Sequence, residues 1–98
     1  MANILQEIEA ERTRQDIKWG GPEHDDVHST EEFIQWIEEY AGWARMMSSM
    51  NNMNKARRKL IKVAALSVAA VESIDRFKEI DKSYNLIGNP YPELHDEE

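Results

Sequence analysis

The nine residues from Val63 to Val71, VAALSVAAV, constrain the fold more than any other part of this chain. Eight of them are apolar, and they lie inside a longer helical pattern. A helix that is apolar almost all round must be buried on every side. Asn54 can cap this helix, which we expect to reach about Lys82. Two partner helices from a 98-residue chain can cover only part of it, so the pattern also predicts a second subunit.

A second long helix precedes this one. Ser29 and Glu32 have the spacing of a capping box, which marks a helix N-terminus. Apolar residues then recur at three- and four-residue spacing over residues 30–49, as on one face of an amphipathic helix. They are Phe33, Trp36, Ile37, Tyr40, Ala44 and Met47. The polar turn at residues 48–52 would let the two helices fold into a long antiparallel hairpin.

A shorter helix opens the chain. Asn3 and Gln6 also have capping-box spacing, and we expect a helix from there to about Ile17. Gly20-Gly21-Pro22 ends it, because glycine frees the backbone and proline disfavours helix at the preceding residue. A loop over residues 19–28 follows.

The sequence therefore predicts an all-α fold, in which a long antiparallel helical hairpin and a shorter N-terminal helix form an oligomeric helical bundle. Residues 1–82 are expected to form a single helical domain. Residues 83–98 are expected to form an acidic and largely irregular tail, because Pro90 and Pro92 cannot continue a helix. The tail can be a solvated end of the chain or an acidic segment that binds a basic partner.

The charge and composition exclude several classes of protein. The formal net charge is −7, and four acidic residues fall within 93–98. An acidic chain of this kind does not suit general nucleic-acid binding, which needs a basic stripe. With no cysteine the chain has no disulfide and no thiolate metal site. The first fourteen residues do not resemble a secretory signal, and no apolar run is long enough for a membrane span. We therefore expect a soluble, cytoplasmic protein.

Imidazole and carboxylate groups are expected to converge at the open end of the hairpin. Folding the chain about residues 51–52 places Glu32 level with the region of Glu72, and the loop enters at the same end. Oxygen-rich clusters suit Mg²⁺ or Mn²⁺, and such ions neutralise phosphate oxygens and orient a water. The candidate metal ligands are His24, Asp25, Asp26, Glu32, Glu72 and Asp75, and the candidate catalytic residues are Glu72 and His28.

Each of these residues also has an ordinary structural explanation. Glu32 completes a capping box, Asp25 and Asp26 suit a turn before a helix, and Glu72 can lie on a solvated face or pair with Arg76. The two histidines of the loop can be surface imidazoles. The metal hypothesis depends on convergence at one end and not on any single residue.

Basic residues supply candidate contacts to phosphate. Arginine guanidinium groups match the geometry of phosphate and carboxylate oxygens. Cations in the first turns of a helix are unfavourable because they oppose its dipole, so their presence there favours a functional role. Trp19 could stack on a base or fill the core. The candidate nucleotide or phosphate contacts are Arg12, Arg14, Lys18, Trp19, Arg57 and Arg58. Salt bridges to glutamates are the structural alternative for the charged members.

Several short motifs together resemble a family of small phage and prophage proteins. They are ERTRQDIKWG at 11–20, EHDDVH at 23–28, Tyr40-Ala41, RRKLIKVAAL at 57–66 and VESIDR at 71–76. The resemblance covers roughly residues 4–77 of this chain. Such phage proteins are similar to the all-α, MazG-like nucleoside triphosphate pyrophosphohydrolases. The resemblance implies a helical oligomer that binds Mg²⁺ and cleaves NTPs or dNTPs between the α and β phosphates. It also implies the cytoplasm of a host cell if the chain is phage-encoded.

The acidic motifs of that family match only in part. The first, ExxE, would begin at Glu39 but ends at Gly42, whereas Glu72 to Asp75 gives the second, ExxD, late in its helix. Three functions therefore stay open: a metal-dependent nucleotide pyrophosphohydrolase, a non-catalytic accessory protein that binds a host protein or sequesters a nucleotide, and a structural oligomer without a ligand. A homo-oligomer, dimeric or tetrameric, and a nucleotide ligand are the expected partners.

Overall fold

The computed structural model describes the backbone of residues 2–85 and the side chains of that range except Ala2, His24, Asp25 and residues 78–85. Four helices follow one another along it: α1 (Ala2–Trp19), α2 (Pro22–Asp26), α3 (Thr30–Ser49) and α4 (Met53–Asn85). No strand occurs in residues 2–85, so the predicted all-α class is confirmed. None of the helices in this range has the length and apolar character needed to cross a membrane.

The helix boundaries near the glycine pair differ from the prediction in one respect. α1 ends at Trp19, and Gly20 and Gly21 follow with φ of 104° and 71°, values that glycine adopts without strain. The predicted loop over residues 19–28 is interrupted by α2, so the expectation of a continuous loop is wrong. Proline has the fixed φ of a first helical residue and needs no donor there, which explains why Pro22 starts a helical turn.

The capping box of α3 is confirmed. The Ser29 hydroxyl accepts a hydrogen bond from the Glu32 amide at 3.1 Å, and the Glu32 carboxylate accepts from the Ser29 amide at 2.8 Å. Each interaction satisfies an N–H group that the helix itself leaves without a partner. The predicted span of 30–49 agrees with the observed Thr30–Ser49.

The start and end of α4 both differ from the prediction. Asn52, and not Asn54, caps the helix, since its side-chain oxygen accepts a hydrogen bond from the Lys55 amide at 3.2 Å. Asn51 precedes it with φ of 60°, a left-handed conformation that asparagine tolerates. The helix reaches Asn85, three residues beyond the expected end at Lys82. The rest of the predicted tail, 86–98, lies outside the described residues.

α3 and α4 pack together through a small apolar core. Its buried members are Phe33 of α3 and Leu66, Ala69 and Ala70 of α4, each at most 8% exposed. Leu66 is 2% exposed, and burying a side chain of its size contributes about 1.5–3 kcal/mol. The small alanines allow the helices to approach closely. The described residues do not cover the middle of α4 on all sides, because Val68 is 39% and Val71 is 56% exposed.

Candidate functional site

An aromatic cleft lies between α1, α3 and α4. Trp36, Tyr40 and Trp43 follow one another at four- and three-residue spacing on α3, which puts their side chains on one face of that helix. Trp19, at the end of α1, lines the cleft with them, as do Leu66 of α4 and Glu39 of α3. The cavity volume is about 280 Å³. We call this group of six residues the aromatic cleft.

The rings in and around the cleft are arranged edge to face. The Phe33 and Trp36 centroids are 5.5 Å apart at 80°, and those of Tyr40 and Trp43 are 5.1 Å apart at 90°. Aromatic rings prefer such arrangements because the positive edge of one ring meets the negative face of the other. Trp43 is 45% exposed and Trp19, Trp36 and Tyr40 are half-buried, so part of the aromatic surface is accessible to a ligand.

Two lysines lie over the rings of the cleft. The Lys59 ammonium, from α4, is 5.1 Å from the Trp43 centroid and 5.7 Å from the Tyr40 centroid. Lys18 lies 5.6 Å from the ring of its neighbour Trp19. A cation within about 6 Å of an aromatic face is attracted by the ring quadrupole. The cleft therefore combines apolar walls with positive charge at its edge.

Two of the predicted metal ligands, Glu72 of α4 and Asp26 of α2, lie close to the same part of α4. Both are engaged in ion pairs. Asp26 accepts hydrogen bonds from Arg76 Nε at 3.0 Å and Nη2 at 2.7 Å, and from the Ser73 hydroxyl at 3.3 Å. The bond from Arg76 lowers the pKa of Asp26 below its ordinary value. Glu72 accepts a hydrogen bond from Arg12. Glu72, a predicted metal ligand, and Arg12, a predicted phosphate contact, thus bind each other.

The other predicted ligands are placed differently. Glu32 caps α3, and the hydrogen bond from the Ser29 amide is the main cause of its lowered pKa. His28 lies with Nδ1 3.3 Å from the Glu32 carboxylate, and its ring meets Trp36 edge to face with the centroids 4.9 Å apart. His28 therefore touches a wall of the aromatic cleft. Asp75 lies exposed on α4.

The metal prediction depends partly on side chains that the structure does not describe. His24 and Asp25 belong to α2, but their side chains lie outside the described set. Among the described side chains, no group of three histidines or acids could hold a metal ion. Mg²⁺ or Mn²⁺ binding therefore stays a prediction, and the described carboxylates alone do not assemble a ligand set.

Most of the predicted phosphate contacts also have protein partners. Arg57 Nη1 and Nη2 donate to both carboxylate oxygens of Glu7, at 2.6 and 2.7 Å, and this bond lowers the pKa of Glu7. Arg14 donates to Glu11 through Nε at 3.0 Å and Nη2 at 2.7 Å. Arg58 is exposed and lines two open grooves beside α4. The structural alternative, salt bridging, thus describes Arg12, Arg14 and Arg57.

From the sequence, Trp19 could either contact a base or fill the core. In the structure it lines the cleft and also packs against the core. Sequence reasoning missed Trp36, Tyr40, Trp43, Glu39 and Lys59 as site residues. Trp36 and Tyr40 were interpreted only as part of a core-facing stripe, because helical periodicity does not distinguish a packed face from one that borders a cavity. Trp43 was not included in that stripe. The available signal was compositional: all three tryptophans of the chain line this cleft.

Comparison of this chain with protein-family models, with curated proteins and with solved structures gives no match.

Proposed function

We propose that this protein binds a nucleotide and holds its base in the aromatic cleft. The observation that carries the proposal is the set of three tryptophans and one tyrosine around a cavity of about 280 Å³. Sites for whole drug-sized ligands have volumes of roughly 300–1,000 Å³, so this one suits a single planar group with the rest of the ligand outside. Stacking of a base on an aromatic side chain contributes about 1–3 kcal/mol.

The charge at the edge of the cleft supports a phosphorylated ligand. Lys59 lies over Tyr40 and Trp43, and Lys18 over Trp19, so a base among these rings would have an ammonium group near its sugar and phosphates. Lysine binds phosphate as a flexible point charge and needs no fixed bidentate geometry. A nucleotide should therefore bind more tightly than the matching nucleoside.

Hydrolysis of the same nucleotide is the second candidate, in line with the MazG-like resemblance. One observation favours it: Asp26 contacts Ser73, the residue after Glu72, so two carboxylates reach neighbouring positions of α4. His28, against Trp36, would lie between this end and the cleft. The reaction requires Arg12 and Arg76 to release Glu72 and Asp26, a cost that simple binding does not have. We therefore place binding before hydrolysis.

We also propose that α3 and α4 form the antiparallel hairpin expected from the sequence and that two copies associate through α4. Leu60, Val68 and Val71 are 55%, 39% and 56% exposed along one side of this helix. The basic residues lie in the first turns of α4, and the acidic pair Glu72 and Asp75 lies beyond Val71 along the helix. An antiparallel second copy would therefore bring opposite charges close to each other. Light scattering should give a dimer or larger, and Val68→Glu should shift it to a monomer; a monomeric parent protein would contradict the association.

Isothermal titration calorimetry with NTPs and NMPs tests the binding proposal. Trp43→Ala should weaken binding about tenfold, as expected for the loss of one stacking partner. Ile34→Ala is the matched control, because Ile34 is 46% exposed on the same helix and does not line the cleft. Equal affinity in both variants, or no heat with any nucleotide, would contradict the proposal.

A pyrophosphate-release assay with added Mg²⁺ or Mn²⁺ separates the two candidates. Turnover that disappears in Glu72→Gln would establish hydrolysis. Binding without turnover would leave the protein as a nucleotide binder.

A further inference from the structure

Glu39 is the feature of the aromatic cleft that stacking does not explain. Of the six residues that line the cleft, it is the one with a charge, and the other five are aromatic or aliphatic. An apolar cavity that serves only to stack a ring has no need of a carboxylate. A small number of placed polar groups is what gives an apolar ligand site its orientation and specificity.

The position of Glu39 leaves its carboxylate available to a ligand. The Gln35 amide donates to its Oε2 atom over a long distance, 3.5 Å. Within the described part of the chain no arginine or lysine forms an ion pair with it, in contrast to Asp26, Glu72 and Glu7. The carboxylate lies one residue before Tyr40 and one helical turn after Trp36, so it belongs to the same short segment as the rings.

An ionised carboxylate only accepts hydrogen bonds, and it accepts best from two parallel donors. Among the common bases, guanine alone presents two adjacent donors on its outer edge, the ring N1–H and the 2-amino group. Adenine and cytosine present an amino group beside a ring nitrogen that is itself an acceptor. Uracil and thymine present one N–H between two carbonyl oxygens, which a carboxylate would repel.

We infer that Glu39 selects guanine nucleotides by accepting hydrogen bonds from N1–H and the 2-amino group of a base stacked in the cleft. This inference rests on the proposed nucleotide binding and names its ligand class. Because the Glu39 side chain is exposed, we expect a preference of roughly tenfold for guanine over a base that lacks the second donor. This is the lower range for a hydrogen bond to a charged group, and buried sites reach far larger ratios.

The test compares GMP, IMP, AMP and UMP by tryptophan fluorescence, excited at the red edge of the absorption band to avoid the bases. The readout is specific to the site, because all three tryptophans line the cleft. IMP differs from GMP only by the missing 2-amino group. We expect GMP to bind about tenfold more tightly than IMP and more tightly still than AMP and UMP.

Glu39→Gln should bring the affinities for GMP and IMP together, since an amide offers one acceptor and one donor. Glu38→Gln is the matched control: it removes the same charge one residue away, outside the cleft, and should keep the preference. Equal binding of GMP and IMP by the parent protein, or a GMP preference that survives Glu39→Gln, would overturn the inference while leaving nucleotide binding intact. No response to any of the four nucleotides would instead overturn the proposed function.

Discussion

The two sides of α4 hold their neighbours by different forces. Towards α3 the contacts are apolar, with Phe33, Leu66 and Ala69 buried and the aromatic rings beside them. Towards α1 and α2 the contacts include a row of ion pairs. The pairs are Glu7–Arg57, Glu11–Lys62, Arg12–Glu72 and Asp26–Arg76. The same helix thus has an aromatic side and a charged side.

This difference shows where ligand chemistry is available. On the charged side, Arg12 and Glu72 bind each other, Arg57 binds Glu7 and Asp26 binds Arg76, so a ligand of these groups must first break those pairs. On the aromatic side, the rings border a cavity and Glu39 faces no ion-pair partner among the described residues. Exposed ion pairs contribute little to stability, whereas apolar burial contributes much. The aromatic side should therefore supply both most of the stability and the ligand site.

The largest expected effect comes from the apolar contact. Leu66→Ala should lower the free energy of unfolding by about 2–5 kcal/mol, because it removes a side chain that is 2% exposed and leaves a cavity. Urea denaturation followed by circular dichroism measures this change. Met53→Ala, at a position 56% exposed on the same helix, should change stability by less than about 0.5 kcal/mol. Similar losses in the two variants would show that α3 and α4 do not pack as described.

A smaller effect is expected at the best-protected ion pair of the charged side. The Glu11 carboxylate accepts from Lys62 at 3.3 Å and from the buried Gln15 amide at 3.1 Å. Burial opposes ionisation of Glu11, but the bonds from Arg14 and Lys62 outweigh it and lower the pKa. Glu11→Ala leaves Gln15 without this acceptor and should cost about 1–3 kcal/mol in the same denaturation assay.

Glu9→Ala is the control for this substitution, because Glu9 is exposed on the same helix. A loss at Glu11 as large as that at Leu66 would mean that the charged side is as important to stability as the aromatic side.

The smallest effect is the pH dependence of the α2–α4 contact. The pKa of Asp26 is lowered by the hydrogen bond from Arg76, so the pair stabilises the fold above the ordinary carboxyl pKa of about 4. That contribution is lost as the pH falls through the lower, folded-state value. Amide protection factors at residues 23–26, corrected for the intrinsic pH dependence of exchange, should therefore fall in acid before those in the core of α3 do.

Asp26→Asn should remove this acid-dependent step, so that protection of α2 is the same above and below the pH at which Asp26 titrates in the parent protein. Simultaneous loss of protection in α2 and α3 in the parent protein would contradict a separate, charge-dependent contact.

The fold was predictable from the sequence where one strong local signal operates. Ser29 and Glu32 define the start of α3 through two specific hydrogen bonds, and the apolar spacing after them follows the helical period. The weaker signals failed. Both Asn52 and Asn54 are competent caps, and only the backbone turn at Asn51 decides between them. Pro22 ends one helix in the sequence pattern but also starts α2.

The site was less predictable, for a physical reason. The charged residues of α1, α2 and α4 are suited both to ligands and to one another, and only the three-dimensional arrangement shows that Arg12 and Arg76 bind Glu72 and Asp26. The aromatic residues of α3 satisfy the same periodicity whether they fill a core or border a cavity. Trp19 joins Trp36 through the tertiary fold, which sequence spacing does not reveal.

The indole N–H resonances of the three tryptophans test the central claim most directly. Trp19, Trp36 and Trp43 report on the aromatic cleft from α1 and from two turns of α3. Titration of ¹⁵N-labelled protein with GMP should shift all three indole signals together, with a single dissociation constant, while the Arg57 and Arg14 side-chain signals stay in place. Shifts confined to the arginine signals, with the indoles unmoved, would show that any nucleotide binds on the charged side and would contradict the account.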